Sequence, residues 1–341
     1  MTESAEKKPK TKAMAKSVGI AAEKKPRAVK SAPVQPAASD KLLRCGFVAV
    51  VGRPNTGKST LVNRIVGEKI AIVSPVPQTT RNVIRGIYND ERGQIVFSDT
   101  PGWHIGRDGL DRFMNKSCQN ALEGIDCVIH LADTSRSVGE EEFRVVERLK
   151  GIKKPVILGL NKIDLKGEFL DQYIALWEQA RGKKVDEMKD FVMIPLSGKQ
   201  GTQVDKLVDV VFSFLPTGPL FYEPDDICDA PRKQVVADIV REKLFLAMRE
   251  ELPHSIAVVV DEMRPVKGKT TRISATIYVE RDSQKEIVIG AKGQMIKLVG
   301  TQARVELEEL METKVFLDLL VKSRKNWRDD HHMLADLGYV F

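Results

Sequence analysis

The sequence predicts an α/β unit with a largely parallel sheet, followed by a smaller α+β unit. Three observations predict this. From Arg44 to about Pro216, apolar strand-like runs alternate with helix-like stretches. The stretch "LPTGPLFYEPDD" (215–226) is rich in Pro, Gly and acidic residues and interrupts that rhythm. Beyond it the pattern becomes α-β-β-α-α-β.

The elements follow in order. Residues 1–43 read as a disordered basic tail: Lys, Ala and Pro dominate residues 1–40, which lack large aromatic side chains. The tail has no apolar core segment of the secretory kind, and Glu3, Glu6 and Glu23 argue against an organelle transit peptide. Residues 44–216 form the first unit. Strands are expected at 46–51, 83–89, 94–98, 126–132, 155–160 and 191–195, and helices at 58–66, 111–123, 139–150, 168–182 and 203–215. "NDERG" between the second and third strands is a hairpin signal, so one edge strand should run antiparallel. Residues 217–230 read as a linker. In residues 231–341 a helix fits 232–251, and strands fit 255–262 and 270–280. Short helices fit 283–289 and 294–299, a further helix 300–312, a strand 315–321, and a last helix starts near Trp327.

Charge and cysteine usage narrow the function class. The net charge is +7, but residues 1–40 hold nine Lys or Arg against four Asp or Glu. Residues 223–341 hold 19 against 21, so basicity alone does not make the folded part a nucleic-acid binder. Four cysteines without CxxC spacing read as reduced thiols, not a zinc site or disulfide frame. No apolar run reaches the roughly 18 residues of a membrane-spanning helix.

The motifs carry the chemistry. Gly52-x4-Gly57-Lys58-Ser59 follows a strand and precedes a helix, which is the context of a phosphate-binding P-loop. Its backbone N–H groups face phosphates, Lys58 neutralises β/γ charge and Ser59 takes Mg²⁺. "LGLNKID" places Asn161, Lys162 and Asp164 directly after a buried strand. Guanine offers two donors that an ionised Asp164 accepts, whereas adenine offers an acceptor there, so GTP or GDP is the expected ligand. "VFSDTPGWH" supplies Asp99 for Mg²⁺ and Gly102 for close backbone approach to the γ-phosphate. "QTTR" (78–81) offers Thr79 and Thr80, of which Thr80 is favoured for the Mg²⁺ shell. "PLSGKQG" would close over the base with Ser197, Gly198 and Lys199. Trp103 stands where Ras-like switches carry a water-orienting glutamine, which predicts a slow rate unless another group acts. Arg81, His104 and Arg107 are nearby in sequence, with solvated switch residues as the bland alternative. In the second unit, Gly290-Ala291-Lys292-Gly293 between two helices resembles the GXXG clamp with which KH domains hold single-stranded RNA, with a tight helix–turn–helix that binds no RNA as the alternative. Gln294, Lys292 and Lys297 would favour phosphate, and Ile287, Val288, Ile289 and Met295 would floor the bases. "KSRKNWR" (322–328) adds four bases and an aromatic.

GRPNTGKS, QTTR, DTPG, NKID and SGK, in that order, resemble the five signature segments of translation-factor-class GTPases. From Arg44 to Phe341 the chain resembles the Era-type GTPases. "REKLFLAMREELPHSIAVVVDE", "ERDSQKEIVIGAKGQMIKLVG" and "KNWRDDHHMLADLGY" carry that likeness through the second half. The tail is longer than is usual there, and SGK replaces the commoner SAL or SAK. The resemblance implies a P-loop NTPase G domain, a mostly parallel sheet with helices on both faces, followed by a type II KH domain. It implies nucleotide contacts from the whole P-loop, Gly52, Arg53, Pro54, Asn55, Thr56, Gly57, Lys58, Ser59 and Thr60, with Lys58, Thr80, Gly102 and Asn55 serving catalysis. It further implies K⁺ as activator, held in part by Asn55. The implied target is single-stranded 16S rRNA near its 3′ end, in assembly of the 30S ribosomal subunit. A monomer in the bacterial cytoplasm, with weak peripheral association at the inner membrane, completes the expectation. The alternative is a regulatory GTPase whose second unit binds a protein or membrane partner. A tRNA-modification GTPase would need further catalytic domains that this length does not hold.

Overall fold

The computed structural model describes residues 42–103, 106–248, 252–266 and 268–339. The tail up to residue 41, His104 and the end of the 232–251 helix expectation lie outside the described residues.

Six strands make the first sheet: β1 (Arg44–Val51), β2 (Ile84–Asp90), β3 (Gly93–Asp99), β4 (Cys127–Asp133), β5 (Val156–Asn161) and β6 (Phe191–Pro195). Their order is β2-β3-β1-β4-β5-β6, with β2 antiparallel to β3 and every other pairing parallel. The helices are α1 (Lys58–Val66), α2 (Gly109–Asn120), α3 (Glu140–Leu149), α4 (Leu170–Arg181) and α5 (Val204–Phe214). The period-2 alternation of β1 explains the layering. Val48 and Val50 pack on the α1/α5 side, and Ala49 and Val51 on the α3/α4 side. Strand order reverses around β1, so the loops after β1 and β3 meet at the carboxyl edge, where ligands of open α/β sheets bind.

The second sheet is β7 (Ala257–Val266), β8 (Thr270–Val279) and β9 (Lys314–Ser323), with β7 antiparallel and β9 parallel to β8. Helices α6 (Arg232–Ala247), α7 (Asp282–Ile289) and α8 (Gln294–Met311) share one hydrophobic core with it. A short α9 (His331–Asp336) closes the fold. Two expectations change here. Helix α8 is continuous where a break was expected near residue 300. Gly300 sits inside the helix, and a Cβ there would meet only the Leu319 side chain of β9, at an ordinary contact distance of 3.4 Å. Helix α6 ends at Ala247.

Residues 217–230 are packed down along the sheet edge. The fully buried Gln94 accepts from the Phe221 and Tyr222 N–H groups, and Ile87 N–H donates to the Ile227 carbonyl. A separate apolar cluster joins the two halves: Leu110, Phe113 and Met114 of α2 meet Ala257, Trp327, Leu334 and Tyr339. Polar contacts reinforce it, with Gly109 N–H on Asp329 and Arg328 on Asp108. Trp327, the aromatic of "KSRKNWR", is fully buried in this junction with its indole N–H on the Ser255 carbonyl.

Candidate functional site

The P-loop, Gly52–Ser59, leaves β1 and turns into α1. Gly57, at φ 96°, caps that helix, and its N-terminus faces the loop. The Lys58 ammonium is buried. It donates to the Arg53 and Gly52 carbonyls at 2.9 and 3.3 Å, and burial lowers its pKa. Thr56 is buried with its hydroxyl on Arg53 O, and Thr60 lies in the first turn of α1.

Three oxygens expected around Mg²⁺ converge. Ser59 Oγ donates to Asp99 Oδ2 at 2.7 Å and lies 2.9 Å from Thr80 Oγ1. Thr79 is engaged instead with Ser74 and Val76, so the structure brings Thr80, not its neighbour, to this point. Asp99 is wholly buried and its Oδ1 has no hydrogen-bond partner. Burial pushes its carboxyl up to about 6, against the pull of the Ser59 hydroxyl and the Lys58 ammonium. An acidic oxygen beside two hydroxyls, buried and unpaired, fits a hard divalent cation. Gly102 approaches the loop so closely that a Cβ would stand 2.5 Å from Pro54 N.

At the base end, Asn161 braces two loops: its Nδ2 donates to Thr56 O and its Oδ1 accepts from Gly198 N–H. The Gly198 N–H thereby ties the 195–201 loop to Asn161. Ser197 Oγ accepts from Gln200 N–H, and Lys199 is exposed. Lys162 Nζ donates to Asn55 O and to Asp133, both at 2.7 Å. Asp164 Oδ1 is buried without a partner, as a carboxylate that awaits two base donors would be. Asn55 has φ 62° and its Nδ2 donates to the Pro75 carbonyl at 2.8 Å, linking P-loop to switch segment.

Sequence reading missed a group behind the loop. Arg53 turns inward, its Nε 2.6 Å from Glu142 of α3 and its Nη2 3.7 Å from Asp133. Glu142 in turn lies 3.5 Å from His130 Nε2, and His130 Nδ1 accepts from the Trp177 indole N–H at 3.0 Å. Burial raises the Glu142 carboxyl, but His130 and Arg53 outweigh it and hold it below the usual glutamate range. The signal in the sequence was slight: a histidine inside an apolar strand, and an acidic first turn on α3.

One other expectation is corrected. Arg81 is not a solvated switch residue but is 1 % exposed. It donates to the Ile256 carbonyl at 2.7 Å and lies between the Phe245 and Trp327 rings. Trp103, which the sequence reading excluded as a water-orienting group, is buried in the α3/α4 core beneath Arg148. The Arg107 N–H donates to Asp111.

In the second unit, Gly290–Gly293 forms a tight turn between α7 and α8 with Lys292 at φ 50° and Gly293 at φ 76°. Nothing lies within 4 Å of where a Gly293 Cβ would be, so the turn faces open space. Ala291, Lys292, Gln294 and Lys297 are exposed around it, and Ile289 and Met295 are half-buried. Val288 belongs to the core instead of a base floor.

Residues 47–162 match the family described as 50S ribosome-binding GTPase, and residues 251–328 match the KH domain family. GTPase Era of Halothermothrix orenii is 45% identical over 296 residues, covering 87% of this chain and 98% of that one. The chain belongs to the Era family of GTPases. GTPase Era of a Geobacter species is 46% identical over 303 residues, with 88% and 99% covered. Among solved structures, an Aquifex aeolicus Era variant bound to GDP and tetrafluoroaluminate superposes with a TM-score of 0.81. Identity is 35%, and coverage is 88% of this chain and all of that one. Era in complex with MgGDPNP and nucleotides 1506–1542 of 16S ribosomal RNA gives the same TM-score at 34% identity and the same coverage. As a member of the Era family, this chain is a GTPase with a C-terminal KH domain. Among the described residues, no helix is long and apolar enough to cross a membrane.

Proposed function

We propose that the chain is a GTP-switched binder of single-stranded 16S rRNA near its 3′ end, acting in 30S subunit assembly in the bacterial cytoplasm. Residues 44–216 hold the nucleotide, 217–230 join the units, and 231–341 hold RNA. The observation that carries the reading is the Gly290–Gly293 turn, open to solvent beside Lys292 and Lys297, where an RNA backbone has room. The relative that holds 16S rRNA is matched over all of its own chain and 88% of this one, which favours the small subunit over the large one named for the broader G-domain family.

Lys58 moves from the Arg53 and Gly52 carbonyls to the phosphates when nucleotide arrives, where anionic oxygens offset the desolvation that burial imposes on its ammonium. Asp164 accepts from guanine, and Lys162, tied to Asp133, lies along the base. Ser59, Thr80 and Asp99 hold Mg²⁺, which supplies charge neutralisation across the β- and γ-phosphates. Gly102 brings its N–H to the γ-phosphate. Asn55, already in contact with the Pro75 carbonyl, helps hold K⁺, which supplies the positive charge that an arginine finger gives elsewhere. The protein acts as a monomer with weak peripheral membrane association. Crosslinking the protein to cellular RNA with a non-hydrolysable GTP analogue bound, followed by sequencing, tests the RNA half. Enrichment of the 16S 3′ end is expected, and recovery of no RNA would favour a regulatory GTPase with a protein or membrane partner.

A further inference from the structure

The loop that carries Thr80 belongs to the first unit but is held by both. Its hydroxyl points into the nucleotide site, 2.9 Å from Ser59 Oγ. Its backbone neighbours point the other way. The Thr79 carbonyl accepts from Arg241 Nη2 at 3.0 Å, and Arg81 Nη1 donates to the Ile256 carbonyl at 2.7 Å. Both arginines are buried, at 4 % and 1 % exposure. Arg241 is held in turn by Asp238 at 2.8 Å and by the Tyr339 hydroxyl at 3.3 Å. Six residues upstream of Thr79, the Val73 N–H donates to Glu242 of α6 at 2.8 Å. Every one of these anchors belongs to α6, the segment just before β7, or the C-terminal end, and none to the nucleotide-binding unit.

The chemistry suits a brace. A guanidinium is planar, stays charged and serves several carbonyls at once, so it fixes backbone rather than a single side chain. Burial lowers the Arg81 pKa to about 10, still charged at neutral pH. In nucleotide switches the segment with the metal-binding hydroxyl is ordered by γ-phosphate and Mg²⁺ and released after hydrolysis. Here its flanks are ordered beforehand by packing against the other unit, so less ordering entropy is lost when Mg·GTP binds.

We propose that Arg81 and Arg241 are positioning residues for Thr80, so that the RNA-binding unit sets part of the preference for GTP over GDP. The proposal rests on the reading of Thr80 as a Mg²⁺ ligand in the triphosphate state. It predicts a split between the two nucleotides, because Thr80 meets the metal only when the γ-phosphate is present.

The test measures equilibrium affinities of the full chain for GDPNP and GDP at saturating Mg²⁺. Arg81→Met keeps an apolar stem between Phe245 and Trp327 and leaves no unpaired charge. The paired Asp238→Asn/Arg241→Met variant does the same for the second anchor and stands in should Arg81→Met fail to fold. Each is expected to weaken GDPNP about tenfold, the effect of losing one charge-assisted hydrogen bond, with GDP changed less than twofold. Thr80→Ala should give the same split, and combining it with Arg81→Met should add little further. Equal losses for both nucleotides, or no loss, in a folded Arg81→Met protein would overturn the positioning role while a Thr80→Ala split still stood. Absence of any split in Thr80→Ala would instead remove the metal-ligand reading and the proposal with it.

Discussion

Glu142→Leu would cut the P-loop from helix α3. Arg53 is 7 % exposed, so without Glu142 its charge would stay buried with only Asp133, 3.7 Å away, to meet it. Breaking a buried pair from one side costs about 3–5 kcal/mol, and the remaining carboxylate lowers that to about 2–3 kcal/mol here. Arg53→Met should cost a similar amount, since it strands Glu142. The double variant Arg53→Met/Glu142→Leu has no stranded charge and should fall within about 1 kcal/mol of the wild type, a coupling of about 3–6 kcal/mol. Denaturant unfolding of the nucleotide-free chain measures all three. Stability and binding should then part company. The double variant regains stability but not GDP affinity, because nothing ties the loop to α3. The acid limb gives a further check. The folded-state pKa of Glu142 lies below its ordinary 4.5, so its contribution is present above pH 4.5 and is lost as pH falls through the folded value. Glu142→Leu should therefore lose stability less steeply on acidification. Additive costs, within about 0.5 kcal/mol, would refute the claim that the pair holds loop to helix.

Asp164→Asn should lose GTP and gain xanthosine triphosphate, whose C2 carbonyl accepts from the amide. Competition assays check it, and equal wild-type affinity for ATP and GTP would sink the base assignment. Gly293→Asp puts a negative charge in the open turn and should weaken RNA binding by at least about 1–3 kcal/mol in a filter or fluorescence assay, with GTP binding unchanged. GTP hydrolysis should run faster in KCl than in NaCl at equal ionic strength, and Asn55→Ala should erase the difference; matching rates in the two salts would reduce Asn55 to a turn residue.

The sequence made legible what is decided locally. Gly57, Lys58 and Ser59 announce a phosphate loop because the backbone needs a glycine at positive φ just where the chain becomes helix. Asp164 announces guanine because an acceptor-only side chain suits that base edge. The element order α-β-β-α-α-β of the second unit survived because periodicity reports burial. What stayed hidden was set by distance along the chain. Arg53 and Glu142 are 89 residues apart, and Arg81 and Ile256 are 175 apart, so no window shows either contact. The break expected near residue 300 is absent because Val299, Ala303 and Leu307 keep the helical spacing of buried positions straight through Gly300.

The chain enters and leaves the first unit at one place. Gly218 N–H donates to Leu43 O, Cys45 N–H donates to Pro216 O, and Arg44 bridges Thr217. That place lies at the start of β1, and the phosphate loop lies at its end, seven residue steps or about 23 Å away. Cargo fused ahead of Leu42 therefore hangs on the far edge of the sheet from the phosphates. It stands instead against the segment that connects the halves, so a purification handle or a fluorescent protein joined there should leave nucleotide exchange alone. A dye at residue 42 paired with another on α8 would use the same placement as a ruler, reading the separation of the two halves from a point the nucleotide never touches.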